Sequence, residues 1–504
     1  MKILSADQIK LVDSFTAQHE PISSINLMER AAAACFKRLI KLIKPDEIIT
    51  IACGMGNNGG DGLAIARMLL EQGFECNVFV IHHSTKLSDD TEINYKRLKE
   101  KYPNRLVDVN SVEELKVKTN KESKVLIDAL LGTGINKPVE GLLAEVIDFL
   151  NAYYLRIYSI DVPSGLHIDS SSEENKHIIH SSLTFTFQLP KLAFLFSENQ
   201  NYVPEFEILD IGLDPQGISE QNTAHYFITK KLISSLLKKR NKFSHKGTYG
   251  HALLIAGSKG KSGSAIIASK ACMRSGTGLF TLHSTKETNS ALLHHLPEAM
   301  SSEDSSPDFI SEVGKLENYE AIAFGPGAGL QEETQTVLKK ILNYYAGKLV
   351  LDADGLNILS ENKTWLNFLP ASAILTPHPK EFDRLTQNHS NDFERFATLK
   401  QFVIKHSCIV ILKGAHSAVA MPDGHVFFNS SGNAGLAKAG SGDGLTGIIL
   451  GLLSRGYTPP QAALIGTYLH GHAADLCLKK KGMESILITD VIEQLPKAFQ
   501  KLGA

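Results

Sequence analysis

The feature that most constrains this chain is a unit that recurs along it: a short β-branched, apolar run, a turn rich in glycine, then a helical period. Residues 48–53 run into Gly54-Met55-Gly56-Asn57-Asn58-Gly59-Gly60-Asp61-Gly62, which opens an apolar helical period over 63–70. Further runs follow at 76–81, 125–129 and 157–162. The last two end in Asp128-Ala129-Leu130-Leu131-Gly132-Thr133-Gly134 and Asp161-Val162-Pro163-Ser164-Gly165. Such alternation predicts a mainly parallel α/β sheet. Ligands of such sheets bind at the carboxyl ends of the strands, where all three turns fall.

At 504 residues the chain exceeds one ordinary core, and about 150 residues per domain predicts two to four domains. After Asp210-Ile211-Gly212-Leu213-Asp214-Pro215 the sequence turns polar, then basic from Lys230, so the seam is placed near 220. The expected domains are 1–218 and 225–504. The second half restarts the alternation at 251–256, 321–324, 349–353, 373–375 and 408–413, and closes with a Gly-rich loop before a long helix. Lys plus Arg (52) nearly balances Asp plus Glu (54), which argues against a nucleic-acid binder relying on a general positive field. Six cysteines with no CxxC spacing fit neither a disulfide scaffold nor a zinc site. With no signal-like N-terminus and no apolar run of membrane length, a cytoplasmic protein without membrane contact is expected.

The first Gly-rich turn contains Gly54, Gly56 and Gly59 in GxGxxG spacing, a pattern that lets a pyrophosphate approach a helix N-terminus. The run at 76–81 ends in His82-His83, without the acid a nicotinamide dehydrogenase uses on its ribose, so plain hydride transfer is disfavoured. Asn58, Asp128 and Ser164 offer oxygen ligands with one formal charge, which suits a hard cation of low charge. Asp161 is a candidate acid/base.

The second half carries Ala439-Gly440-Ser441-Gly442-Asp443-Gly444 before an apolar helix. Its backbone N–H groups would form an anion cradle, with Asp443 placed to take a proton from a hydroxyl beside a phosphate. Lys413-Gly414-Ala415-His416-Ser417 follows a strand and is expected along a nucleotide. Thr376-Pro377-His378-Pro379 presents His378 on a rigid turn. Gly325-Pro326-Gly327-Ala328-Gly329 is a backbone-approach loop, and Asp352 and Asp354 are candidates to order water or magnesium, or to cap the helix after them. His470-Gly471-His472 lacks a third ligand and reads as a helix pair rather than a metal site.

GMGNNGGDG with DALLGTG and DVPSG resembles the YjeF N-terminal domain, the NAD(P)H-hydrate epimerases, over about residues 1–215. AGSGD with HKGTYG, GPGAG, DADGLN, TPHPKEF and KGAHS resembles the YjeF C-terminal domain, the ADP-dependent NAD(P)H-hydrate dehydratases, over about 225–500. The resemblance implies a Rossmann-like three-layer domain followed by a ribokinase-like α/β domain. It implies that Asn57, Asn58, Gly59, Gly60, Asp61 and Gly132, Thr133, Gly134, Ile135, Asn136, Lys137, Pro138 bind the hydrated dinucleotide, with Asp161 at its nicotinamide end. Asn58, Asp128 and Ser164 would hold potassium. In the second domain it implies ADP contacts from Lys413, Gly414, Ala415, His416, Ser417 and Gly442, and substrate contacts from Ser264, Ala265, Gly327, His378 and Asp443, with magnesium accompanying the nucleotide. Ser264 stands where the family usually has Ala, Ser417 where it has Thr, and Gly444 where it has an apolar residue, which is expected to loosen the helix start.

The family pairing implies a homo-oligomer that repairs hydrated NADH and NADPH (NADHX and NADPHX). The first domain would interconvert R and S epimers. The second would dehydrate the S form, turning ADP into AMP and phosphate. Two other readings remain open from the residues alone: a ribokinase-like kinase of a vitamin or sugar alcohol, and a non-catalytic scaffold.

Overall fold

A computed structural model describes residues 1–20 and 22–503; Pro21, and Ala504 at the end of the expected second domain, lie outside the described residues. Backbone contacts divide the chain into two compact units: Lys2–Thr223 with Asn391–Phe393, and Met1 with Ala224–Ser390 and Glu394–Ala504.

The first unit is built on seven strands: β1 (Ile49–Cys53), β2 (Cys76–Ile81), β3 (Leu106–Val109), β4 (Val125–Ala129), β5 (Arg156–Ile160), β6 (Leu183–Phe187) and β7 (Phe206–Leu209). They lie parallel in the order β3-β2-β1-β4-β5-β6-β7. The β1 sequence ITIAC is buried at every residue, because helices cover both faces of a parallel sheet. Ile49, Ile51 and Cys53 pack with the helices Ser24–Leu39 and Asn57–Glu71, while Ala52 joins the core under Leu142–Tyr153 on the other face. Chain order runs outward through β2 and β3, then returns to place β4 on the other side of β1. The loops after β1 and β4 therefore diverge and open a crevice at their carboxyl ends.

The second unit holds ten strands: β8 (His225–Phe227), β9 (His251–Ile255), β10 (Leu279–Ser284), β11 (Met300–Glu303), β12 (Ala321–Phe324), β13 (Lys348–Leu351), β14 (Ile374–Leu375), β15 (Ile409–Leu412), β16 (Ala418–Ala420) and β17 (Val426–Phe428). Their order is β11-β10-β9-β12-β13-β14-β15-β16-β17-β8, parallel except where β16 pairs antiparallel with β15 and β17. The order reverses again, here between β9 and β12, and brings the turn after β9 against the Gly325–Gly329 loop, where Gly257 N donates to Pro326 O and Ser258 Oγ to Gly327 O, both at 2.9 Å. The Ser441–Ser454 helix is buried on almost every face among Ser262–Arg274, Pro459–Leu478 and Ile488–Lys501. The expected α/β architecture is thus present in both halves. No helix among the described residues is long and apolar enough to cross a membrane.

Candidate active sites

In the first unit Gly54 continues β1 and donates its N–H to Ala129 O (3.0 Å). A side chain there would stand 1.9 Å from Leu130 O, so only glycine lets the two strand ends meet. The Asn57–Glu71 helix starts at once, and its first turn opens onto a cavity of about 430 Å³. Asn57, Asn58, Asp61, Gly132, Thr133, Gly134, Ile135 and Asp161 all line it, joined by Lys10, Asp13, His83 and Lys191. Gly59 and Gly60 are placed behind this lining: Gly59 packs on the Gly54 backbone and Gly60 against Met28 and Thr91. Asn136, Lys137 and Pro138 continue the loop as exposed residues.

Asn58, Asp128 and Ser164 converge on the peptide of Leu131. Its N–H donates to Ser164 Oγ (2.8 Å), and its carbonyl accepts from Asn58 Nδ2 (2.9 Å) and Ser164 Oγ (3.3 Å). The Asp128 carboxylate accepts from Ser164 Oγ (2.5 Å), Ser164 N (2.9 Å) and Ser159 Oγ (2.9 Å). It is fully buried, and burial raises its pKa despite those donors; no cationic side chain is among the influences on it.

Asp161 follows β5 with φ 61°, a strained backbone for a residue with a side chain. Its carboxylate accepts from Lys191 Nζ (2.8 Å), Phe187 N (3.1 Å) and Thr186 Oγ1 (3.3 Å). Lys191 is 1% exposed and spends its other donors on the carbonyls of Phe187 and Leu189, both at 3.3 Å. The motifs missed Lys191 and Asp13. Leu189-Pro190-Lys191 was a faint signal, a proline-fixed lysine after a strand; Asp13, in the Ala6–His19 helix, had none.

In the second unit Gly440, at φ 87°, starts the Ser441–Ser454 helix. The first amide bonded within the helix is Gly444 N, to Gly440 O (2.9 Å), so the amides of Gly442 and Asp443 precede the intrahelical ladder. Burial pushes the Asp443 carboxyl up to about 6, against a smaller opposing influence of the nearby Ser264 hydroxyl. Lys413 Nζ lies 3.0 Å from Asp352 Oδ1 and 3.7 Å from Glu381 Oε2. Burial alone would lower the Lys413 ammonium; Asp352 and Glu381 overcome it and hold the ammonium above its ordinary value. Asp352 also accepts from Thr446 Oγ1 (2.7 Å), so both its oxygens are engaged. Gly442 rides on this pair: a β-carbon there would sit 3.4 Å from Lys413 Nζ.

Gly327, at φ 61°, approaches Lys261 and Ser264, while Asp354 accepts from Gly329 N (2.9 Å) and pairs with Lys261 (3.2 Å). Asp354 is the first residue of the Asp354–Glu361 helix. His378 caps Pro379–Leu385, accepting from Glu381 N through Nδ1 (3.2 Å), and its side chain remains 46% exposed. Asp443, Ser264, Gly442, Lys413, Gly327 and His378 are therefore brought into one neighbourhood. Ala265 is placed in the core beneath the Gly257 turn. Gly414–Ser417 forms the turn between β15 and β16, with Gly414 facing open space and His416 turned inward onto Asn429 O (3.0 Å). The Gly444 position is filled by Ile488, whose Cδ1 would lie 2.8 Å from a β-carbon, so the helix start is packed rather than loosened. His470 and His472, read from the sequence as a helix pair, both lie in the helix Pro459–Leu478, with His470 buried. The buried Nε2 of His470 has no hydrogen-bond partner among the described residues, and burial beside the Lys413 charge pushes the imidazole down to about 4. A separate open groove of about 490 Å³, lined by Lys363, Leu385 and Lys405 among others, contains none of the expected site residues.

Two α/β units, each with glycine turns where its strand order reverses and ionisable groups beside them, define a two-site enzyme acting on small molecules. A family model described as NAD(P)H-hydrate dehydratase matches residues 252–497, and one described as YjeF-related protein N-terminus matches 24–193. The chain is 31% identical to the bifunctional NAD(P)H-hydrate repair enzyme of Moorella thermoacetica, over all of this chain and 97% of that one. It is 29% identical to the Escherichia coli enzyme of the same name, over 98% and 93%. An ADP/ATP-dependent NAD(P)H-hydrate dehydratase from Bacillus subtilis, co-crystallised with ATP and Mg2+, is 31% identical over 55% of this chain and 98% of that one, with a TM-score of 0.49. The chain belongs to the family of bifunctional NAD(P)H-hydrate repair enzymes. It joins an epimerase-type domain to a dehydratase-type domain.

Proposed function

We propose that the second unit dehydrates the S epimer of NADHX and NADPHX at the expense of ADP, and that the first interconverts the R and S epimers. The observation that carries the first statement is Asp443: a carboxylate with a pKa of about 6, in the first turn of a helix with amides ahead of its ladder, beside the Lys413 ammonium. Near neutral pH it accepts the proton of the ring hydroxyl. The hydroxyl oxygen bonds to the β-phosphorus of ADP as the bond from that phosphorus to the bridging oxygen breaks, releasing AMP. The amides of Gly442 and Asp443 and the Lys413 charge stabilise the oxygens that gain charge. The ring nitrogen's lone pair then expels phosphate, and loss of a neighbouring ring proton restores the dihydronicotinamide. Ser264, Gly327 and His378 border the substrate, and Gly414, Ala415, His416 and Ser417 border the nucleotide.

Magnesium bound with the nucleotide would neutralise phosphate charge. Asp352, paired with Lys413 and Thr446, and Asp354, paired with Lys261, are the carboxylates that would face it. In the first unit Asn58, Asp128 and Ser164 would hold potassium. In support, the buried Asp128 carboxylate has no cationic side-chain partner among the described residues and sits among the hydroxyls of Ser164 and Ser159. The six free, buried cysteines fit a reducing cytoplasm.

The test is ADP-dependent recovery of reduced-nicotinamide absorbance from a mixture of hydrate epimers, with phosphate and AMP measured together. Stoichiometric AMP and phosphate support the reading. A stable phosphorylated product formed from ATP would instead favour a small-molecule kinase.

A further inference from the structure

The cavity of the first unit extends into a second lobe of about 380 Å³, lined by Ser24, Met28 and Asp90 on its far side. Asp13 and Asp61 line both lobes, while Asp161 and Lys191 line only the first. Three carboxylates thus meet one buried lysine, and the lysine is committed to Asp161. Neither Asp13 nor Asp61 makes a hydrogen bond or ion pair among the described residues, although Asp61 is only 8% exposed. Side chains so placed are satisfied by what enters the cavity.

Inverting the hydroxyl-bearing ring carbon requires two proton transfers. When the carbon–oxygen bond is the one that breaks, the hydroxyl leaves as water and the returning water loses a proton. Asp161, which lines the cavity and accepts from Lys191, Thr186 and the Phe187 amide, is placed for the second task. The first needs a carboxylic acid that reaches the cavity from another element and can exchange its proton.

Resting on the epimerase reading above, we propose that Asp13 is the general acid of this site. Its proton passes to the ring hydroxyl as the carbon–oxygen bond breaks, with the bonding pair going to that oxygen. The ring nitrogen's lone pair forms a carbon–nitrogen double bond. Water then adds to the other face of the carbon and its proton goes to Asp161. Transfer of that proton back to Asp13 closes the cycle, with no net change in protons or electrons.

The surroundings agree. Burial, and then the Asp161 charge, raise the Asp13 carboxyl to about 6, against a smaller opposing effect of Lys191. Burial, then Asp161, Asp13, Asp90 and Glu29, push the Asp61 carboxyl well above its ordinary value. Lys10 on the same helix, His83 after β2 and, on the second lobe, Asp90 are the other ionisable side chains lining the cavity among the described residues; burial lowers the His83 imidazole.

The test uses the full chain without nucleotide, so that dehydration is idle, and follows interconversion of separated NADHX epimers by chromatography. Wild type should exceed the uncatalysed exchange, with a rate that falls as pH rises above about 6, since the acid form is the active one. Asp13→Asn should lower the catalysed rate by about 100-fold or more and remove that limb. Asp13→Glu should restore most of the rate together with the limb. Hydrogen exchange of the β1–β7 sheet in the same variants reports that the first unit is folded. Asp13→Asn exchanging at the wild-type rate with its pH limb intact overturns the proposal. So does Asp13→Glu showing no more activity than a folded Asp13→Asn. Wild type failing to exceed uncatalysed exchange removes the epimerase reading itself, and the proposal with it.

Discussion

Asp443 concentrates a conflict between stability and chemistry. Its folded pKa of about 6 lies above the usual 3.8, so the folded state binds the proton more tightly than the unfolded chain. Stability therefore falls as pH rises from about 4 to 6, and the full penalty, of order 3 kcal/mol, persists at neutral pH. Asp443→Asn should abolish ADP-dependent dehydration while raising the thermal transition at pH 7; that gain should vanish below pH 4, as scanning calorimetry would read. Ser264 supplies the counterweight. Its hydroxyl favours the carboxylate form of Asp443, so Ser264→Ala should move the acid limb of the dehydration rate to higher pH, because the base must lose its proton to work. An unshifted limb would separate Ser264 from the base.

At the scale of elements, the Ser264–Asp443 contact depends on two helix backbones touching. Gly447 and Gly451 face Ser262–Arg274, where a β-carbon would stand 2.1 Å from Ala268 O and 2.5 Å from Cys272 O. These glycines lie four apart, one turn, on the face of Ser441–Ser454 that meets the helix carrying Ser264. Gly447→Ala should part the helices and cost at least about 1–3 kcal/mol in urea unfolding. Its dehydration kcat should fall further than Gly263→Ala, a position with open space around it, which serves as the control. Equal kcat values for the two would show that the approach serves packing alone.

At the scale of the whole chain, the two chemistries are complementary: one site accepts a single epimer and the other supplies it. Asp161→Asn should leave dehydration of purified S-NADHX unchanged. With an epimer mixture and ADP, recovery should then stop near the S share and continue only at the uncatalysed rate. Complete recovery at the wild-type rate would remove Asp161 from the first reaction.

Strands β1, β2, β4, β5, β9, β12, β13, β14 and β15, their parallel pairing and the glycine turns were legible in the sequence, because period and turn chemistry are local properties; β3, β6, β7, β8, β10, β11, β16 and β17, with the antiparallel pairing of β16, were not. So were Asp161, Asp443 and the converging trio Asn58, Asp128 and Ser164, each standing at or next to a strand or helix end whose direction the pattern reveals. Other pairings join residues far apart in the chain. Asp352 meets Lys413, Lys191 holds Asp161, and Asp13 on the first helix enters a cavity formed by loops over a hundred residues away. No periodicity encodes such meetings. They follow from the order of strands in each sheet, and the desolvation that tunes the carboxyls arises only once those neighbours have closed around them.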